Sequence, residues 1–159
     1  MRKILLGGAL AVAICSAACQ PTADEAFRQG LDAYQEGDYE KAREAWLPIA
    51  EDGHGAAQRN LGVLYFLGQG VDLDHAAAVQ WFRRAAEQET PESALKLAVM
   101  YANGHGIERD LVEAYRWARI AQDQGDPAAD EWLVSLPRQM SAEQITEART
   151  LADAWQPTR

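Results

Sequence analysis

The chain has 159 residues, enough for one compact domain or a short array of repeats. Apolar residues make up 48% and charged residues 25%, with 6 Pro and 12 Gly, a mix that excludes collagen, a coiled-coil rod and wholesale disorder. The formal net charge of −9 argues against a sequence-independent nucleic-acid binder, because neutralising phosphates needs Lys and Arg in excess.

In chain order, the first element is a targeting segment. Arg2 and Lys3 precede Ile4–Ile14, an uncharged run of 11 residues, and Ser16-Ala17-Ala18 follows as a small-residue cleavage signal. Spanning a bilayer takes about 20 apolar residues, so the run predicts a signal peptide over 1–18 rather than a membrane helix. Both cysteines, Cys15 and Cys19, lie here, so no disulfide framework staples the body of the fold. Cys19, directly after the small residues, resembles the cysteine of a bacterial lipobox, although Ser16 stands where Leu is usual. That resemblance implies diacylglycerol on the Cys19 sulfur, a linker over 19–25, and an outer-membrane lipoprotein facing the periplasm, since Gln20 rather than Asp follows. The other outcome is ordinary cleavage after Ala18, which leaves a soluble periplasmic or secreted chain with a free Cys19 thiol. Either cleavage leaves 13 basic against 24 acidic side chains, a charge of −11.

Helix pairs account for the rest. Over 26–53, Gly30, Ala33, Gly37, Asp38-Tyr39 and Ala42 mark a first pair, and Pro48 predicts a kink near Leu47. From there the sequence matches itself at a shift of 36: Leu61 on Leu97, Tyr65 on Tyr101, Gly68 on Gly104, Gly70 on Gly106, Asp74 on Asp110, Ala78 on Ala114, Trp81 on Trp117 and Ala85 on Ala121. The copies are 54–90 and 91–126, and 127–136 starts a third. Thr90-Pro91 and Asp126-Pro127 read as an N-cap followed by proline at the first helical position. Gly68 and Gly104 read as left-handed helix stops. Asp74 and Asp110 read as N-caps, the latter in a capping box with Glu113. Trp81 and Trp117, spaced among alanines, read as core. Over 137–159, Ser141-Ala142-Glu143-Gln144 opens a helix carrying Ile145, Ala148, Leu151, Ala152 and Trp155, the expected cap of a solenoid.

The stretch Ala57-x3-Leu61-Gly62-x2-Tyr65-x2-Gly68-x-Gly70-Val71-x2-Asp74-x3-Ala78-x2-Trp81-x3-Ala85 resembles the Sel1-like repeat, a relative of the tetratricopeptide repeat, and the first pair resembles a tetratricopeptide helix pair. The resemblance implies an all-α, right-handed solenoid of antiparallel helix pairs with a C-terminal capping helix. It also implies that the first helix of each pair lines a concave groove for a peptide. Carried over position by position, the groove residues are Phe27, Leu31 and Tyr34, then Arg59, Val63 and Phe66, then Leu95, Val99, Ala102 and Asn103. The expected protein is a monomeric, non-enzymatic adaptor for a protein or peptide, with no nucleic acid, cofactor or metal, and with membrane contact only through the lipid. The net charge predicts a partner segment with Lys or Arg around an apolar anchor.

Some of the same residues also match motifs of other chemistry. Ser93-Ala94-Leu95-Lys96 matches S-x-x-K, which makes a periplasmic, cell-wall-active, β-lactam-recognising hydrolase or its regulator the alternative function. Against it, Ser93 falls at the small packing position of Ala57, and the companion motifs S-D-N and K-T-G are absent. His54, His75 and His105 lack metal-ligand spacing and read as solvated loop residues. Gly68-Gln69-Gly70 and Gly104-His105-Gly106 recur at the period and read as turns rather than phosphate loops.

Overall fold

The computed structural model describes residues 21–157, so the signal peptide, Cys15 and the lipidation expected at Cys19 lie outside the described residues. Among the described residues the regular structure is entirely helical: α1 (Ala23–Gln35), α2 (Tyr39–Glu51), α3 (Gly55–Leu67), α4 (His75–Glu87), α5 (Ser93–Asn103), α6 (Leu111–Asp123), α7 (Ala129–Ser135) and α8 (Ala142–Asp153), with a 3-10 turn at Leu136–Gln139. The helices pair as α1 with α2, α3 with α4 and α5 with α6, and each pair packs on the next. α7 and α8 both pack against α6, closing the C-terminal end.

The helix starts correct three expectations. α1 opens at Ala23, inside the expected 19–25 linker, because Thr22 and Glu25 form a reciprocal capping box. The Thr22 N–H, donating to the Glu25 carboxylate at 2.9 Å, holds that carboxyl below its usual range. Pro91 and Pro127 are not the first residues of helices; α5 starts at Ser93 and α7 at Ala129. Each proline is instead the second residue of a turn closed by Ser93 N–H to Thr90 O or Ala129 N–H to Asp126 O, both 3.2 Å. A fixed φ suits that turn position as well as it suits a helix start, so the dipeptide alone does not separate the two. Finally, Asp110 caps α6 by accepting from the N–H groups of Val112 and Glu113, but the Glu113 side chain does not return the bond. It accepts instead from Arg116 at 2.9 Å and from Trp117 Nε1 at 3.1 Å.

The two G-x-G turns set how pairs stack. Gly68 and Gly104 are left-handed at φ 66 and 71 and end α3 and α5, and in each copy the capping Asp then donates its N–H to a Tyr carbonyl, at 3.0 and 3.1 Å. The second glycine has a different task. A Cβ on Gly70 would lie 2.5 Å from the Tyr39 carbonyl carbon, and one on Gly106 would overlap the His75 backbone. Each loop therefore lays bare backbone on the first turn of the preceding pair's second helix, α2 or α4.

The core has two parts. Trp46, Leu61 and Leu64 fill the N-terminal one; Phe82, Leu97, Met100, Trp117, Ile120 and Leu136 fill the other. The period places Trp81 and Trp117 alike, but only Trp117 is buried, and Trp81 is half-exposed beneath the Arg84 guanidinium. Phe82 takes the deep position instead because it presses on Gly62, where a Cβ would come 2.8 Å from its ring. One period on, those two positions hold Ala98 and Ala118, and the large side chain moves to Trp117.

Candidate partner-binding groove

The first helices α1, α3 and α5 line one side of the solenoid, and two cavities meet along it. The first, about 310 Å³, is lined by Leu31, Tyr34 and Trp46 together with Arg59, Asn60, Val63, Glu92 and Lys96. The second, about 230 Å³, is lined by Val63, Phe66, Leu67, Phe82, Lys96, Val99 and Met100. Val63 and Lys96 belong to both, so the two form one groove with an apolar half and a polar half. In the polar half, Arg59 donates to Asn60 Oδ1 at 3.1 Å and reaches Glu92 at 3.5 Å, with both side chains partly in solvent. Tyr34 OH donates to Gln69 at 3.4 Å. Neither α7 nor α8 contributes a lining residue, since α8 lies along α6.

Of the expected groove residues, Leu31, Tyr34, Arg59, Val63, Phe66 and Val99 come together here. Phe27 does not; it stacks on His54 at 4.8 Å and tilts against Trp46. Leu95 is packed on the C-terminal core, and Ala102 is buried with its carbonyl accepting from Arg109 Nε at 2.9 Å. These two residues lie seven apart on one helical stripe, rotated off the stripe that carries Lys96, Val99 and Met100. Asn103 is exposed at the end of α5, its amide turned back on Val99 O at 3.0 Å. The sequence reading missed Trp46, Asn60, Leu67, Phe82, Glu92, Lys96 and Met100. For Lys96 the signal was there: stepping back three from Val99 gives Lys96 on the same face, whereas Glu92 lies before α5 in the turn that leads into it.

Two side observations bear on chemistry. Ser93 is fully buried in α5 with its hydroxyl unpaired, whereas Lys96 is exposed, so the S-x-x-K pair presents no accessible nucleophile. The histidines are not solvated as expected. All three are half-buried: His54 caps α3 by accepting from Ala57 N–H, and His75 and His105 gather on Phe66 with ring centroids 4.9 and 6.0 Å away. The stacking follows from the Gly106 contact, which brings the His105 loop onto the start of α4.

The Sel1 repeat family model matches residues 55–89 and 91–126. Similar solved structures include a protective antigen of uropathogenic Escherichia coli displaying an SLR fold. It superposes with TM-score 0.77 at 30% identity, over 82% of this chain and 29% of that one. Another is a Sel1 repeat protein from Oxalobacter formigenes, with TM-score 0.67 at 30% identity, over 75% of this chain and 51% of that one. The chain thus spans less than two thirds of the length of either relative. No curated protein matches. Helix pairing, period and matched positions agree, and the chain belongs to the Sel1-like repeat family.

Proposed function

We propose that the protein is a non-enzymatic adaptor of the cell envelope that holds a peptide segment of a protein partner in the groove across α1, α3 and α5, the concave side of the solenoid. Sel1-repeat proteins are in general protein–protein interaction adaptors, and the fold is typically a non-enzymatic scaffold. The observation that carries the reading is the open apolar half of the groove. Val63, Phe66 and Val99 are only half-buried there and Leu67 is 51% exposed, with His75 and His105 packed on Phe66 and the groove itself left open. Apolar side chains gathered in a depression, rather than scattered singly, mark an interaction site. Phe66→Ala combined with Val99→Asp is expected to abolish capture of the partner from envelopes while leaving the circular dichroism spectrum unchanged. Arg84→Glu, exposed on the outer helix α4, is the matched control. Loss of capture in the control but not in the groove pair would move the binding face to the outer helices.

Anchoring at the outer membrane through a diacylglyceryl Cys19, with the solenoid in the periplasm, belongs to the same proposal. It is supported by Arg2 and Lys3, the apolar run and the small residues before the cysteine. Cys19→Ala is expected to leave the protein unprocessed or release it to the soluble fraction, and Cys15→Ala to leave the mature product unchanged. A soluble wild-type protein whose Cys19 thiol is unmodified by mass spectrometry overturns the anchor.

A further inference from the structure

We infer that the groove selects an acidic peptide segment: one apolar side chain seated between Val63, Phe66 and Val99, with a neighbouring Asp or Glu carboxylate on Lys96 and Arg59. The inference rests on the groove being the binding face. It reverses the basic partner expected from the charge of −11 left after cleavage, because the charged groups lining the groove do not share the sign of the whole. Among the described residues only three charged ones line it, and two are cations, Arg59 and Lys96. The third, Glu92, is already turned to Arg59 at 3.5 Å. The Lys96 side chain has no ion pair or hydrogen bond among the described residues, and it stands where the apolar and polar halves meet. A carboxylate there meets an uncompensated cation while the adjacent side chain is desolvated, the arrangement in which a charge pair gives specificity as well as encounter rate.

The Glu92 backbone adds an independent observation. It sits at φ 67 in the third position of the Thr90–Ser93 turn, a conformation that favours Gly or Asn. A strained residue whose carboxylate occupies Arg59 is an internal stand-in for the ligand, and strain of this kind collects at binding sites. A partner carboxylate that displaces it takes over Arg59. Removing the Glu92 charge should therefore tighten binding of an acidic segment, whereas a merely structural ion pair would give no gain.

The test is selection of phage-displayed heptapeptides on the full chain, with the peptide C-termini fused so that side chains alone supply carboxylates. Enriched sequences should place Asp or Glu within two residues of Leu, Met or Phe. A synthetic peptide of that sequence should bind at least tenfold more weakly to Lys96→Glu and to Val99→Asp, and severalfold more tightly to Glu92→Gln. Enriched peptides that need Val99 but carry Lys or Arg, or that tolerate Lys96→Glu, overturn the acidic preference and leave the groove reading standing. Peptides indifferent to Val99→Asp, or no enrichment, overturn both. Self-association of the wild type in sedimentation, abolished by Val99→Asp, would identify the occupant as a second copy of the chain and overturn the acidic-peptide inference.

Discussion

Trp117→Ala should cost about 3–5 kcal/mol, close to the whole stability of a small domain. The side chain is 1% exposed at the junction of α6 and α8. The Arg116 guanidinium lies over its ring at 4.9 Å, the Trp155 ring meets it edge-on at 6.3 Å, and its N–H donates to Glu113 at 3.1 Å. Truncation removes the apolar contacts and frees the Glu113–Arg116 pair from its third partner, and the rigid helices on either side cannot collapse into the void. Trp81→Ala, at the same repeat position but half-exposed under Arg84, should cost about 1 kcal/mol. Urea denaturation compares the two, and equal midpoints would remove the distinction. Since a solenoid holds its ends through nearest-neighbour contacts, Trp117→Ala should also lower amide protection in α8 well before α1 is affected.

That pair shows what was legible in the sequence and what was not. The period was legible because backbone demands repeat: left-handed Gly68 and Gly104, capping Asp74 and Asp110, and the close-approach glycines Gly70 and Gly106 each meet a demand that few residue types satisfy. Side-chain volume was not, because it can be exchanged between contacting positions without breaking the pattern. Gly62 with Phe82 in one copy and Ala98 with Ala118 in the next fill the same kind of space differently, so aligning Trp81 with Trp117 placed it too deep. The groove was legible helix by helix, but not its exact stripe on α5. Leu95 and Ala102 differ from Lys96 and Val99 by a fraction of a helical turn, and only the packing of α5 on α4 and α6 fixes that rotation. Lys96 was hidden further by reading it only within the S-x-x-K match, and the histidines by the assumption that loop residues face water.

Gly106→Val is the sharper test of how the solenoid is assembled, with an expected loss of about 3–5 kcal/mol. Two costs add. A β-branched residue at φ 71 is strained by about 1–2 kcal/mol, as any L-residue is in the left-handed region. The new side chain would also overlap the His75 carbonyl and the Ala76 nitrogen, and a helix's first turn of backbone cannot step aside as a flexible side chain can. Gly104→Val separates the terms. It sits at the same φ of 71, but a Cβ there comes no nearer than 3.4 Å to the Arg109 Cβ, an ordinary contact, so only the strain of about 1–2 kcal/mol remains. Chemical denaturation of both variants is the measurement, and equal losses would mean that the second glycine does not dock one pair on the next. The consequence reaches the groove. The same contact brings His105 beside His75 on Phe66, with the two imidazole centroids 5.3 Å apart, and so fixes how the α5–α6 pair is set against α3 and α4. Lys96 and Val99 ride on α5, while Val63, Phe66 and Arg59 ride on α3. A shift at Gly106 therefore opens the groove along its length, and at temperatures where Gly106→Ala remains folded it should weaken groove binding more than Gly104→Ala does.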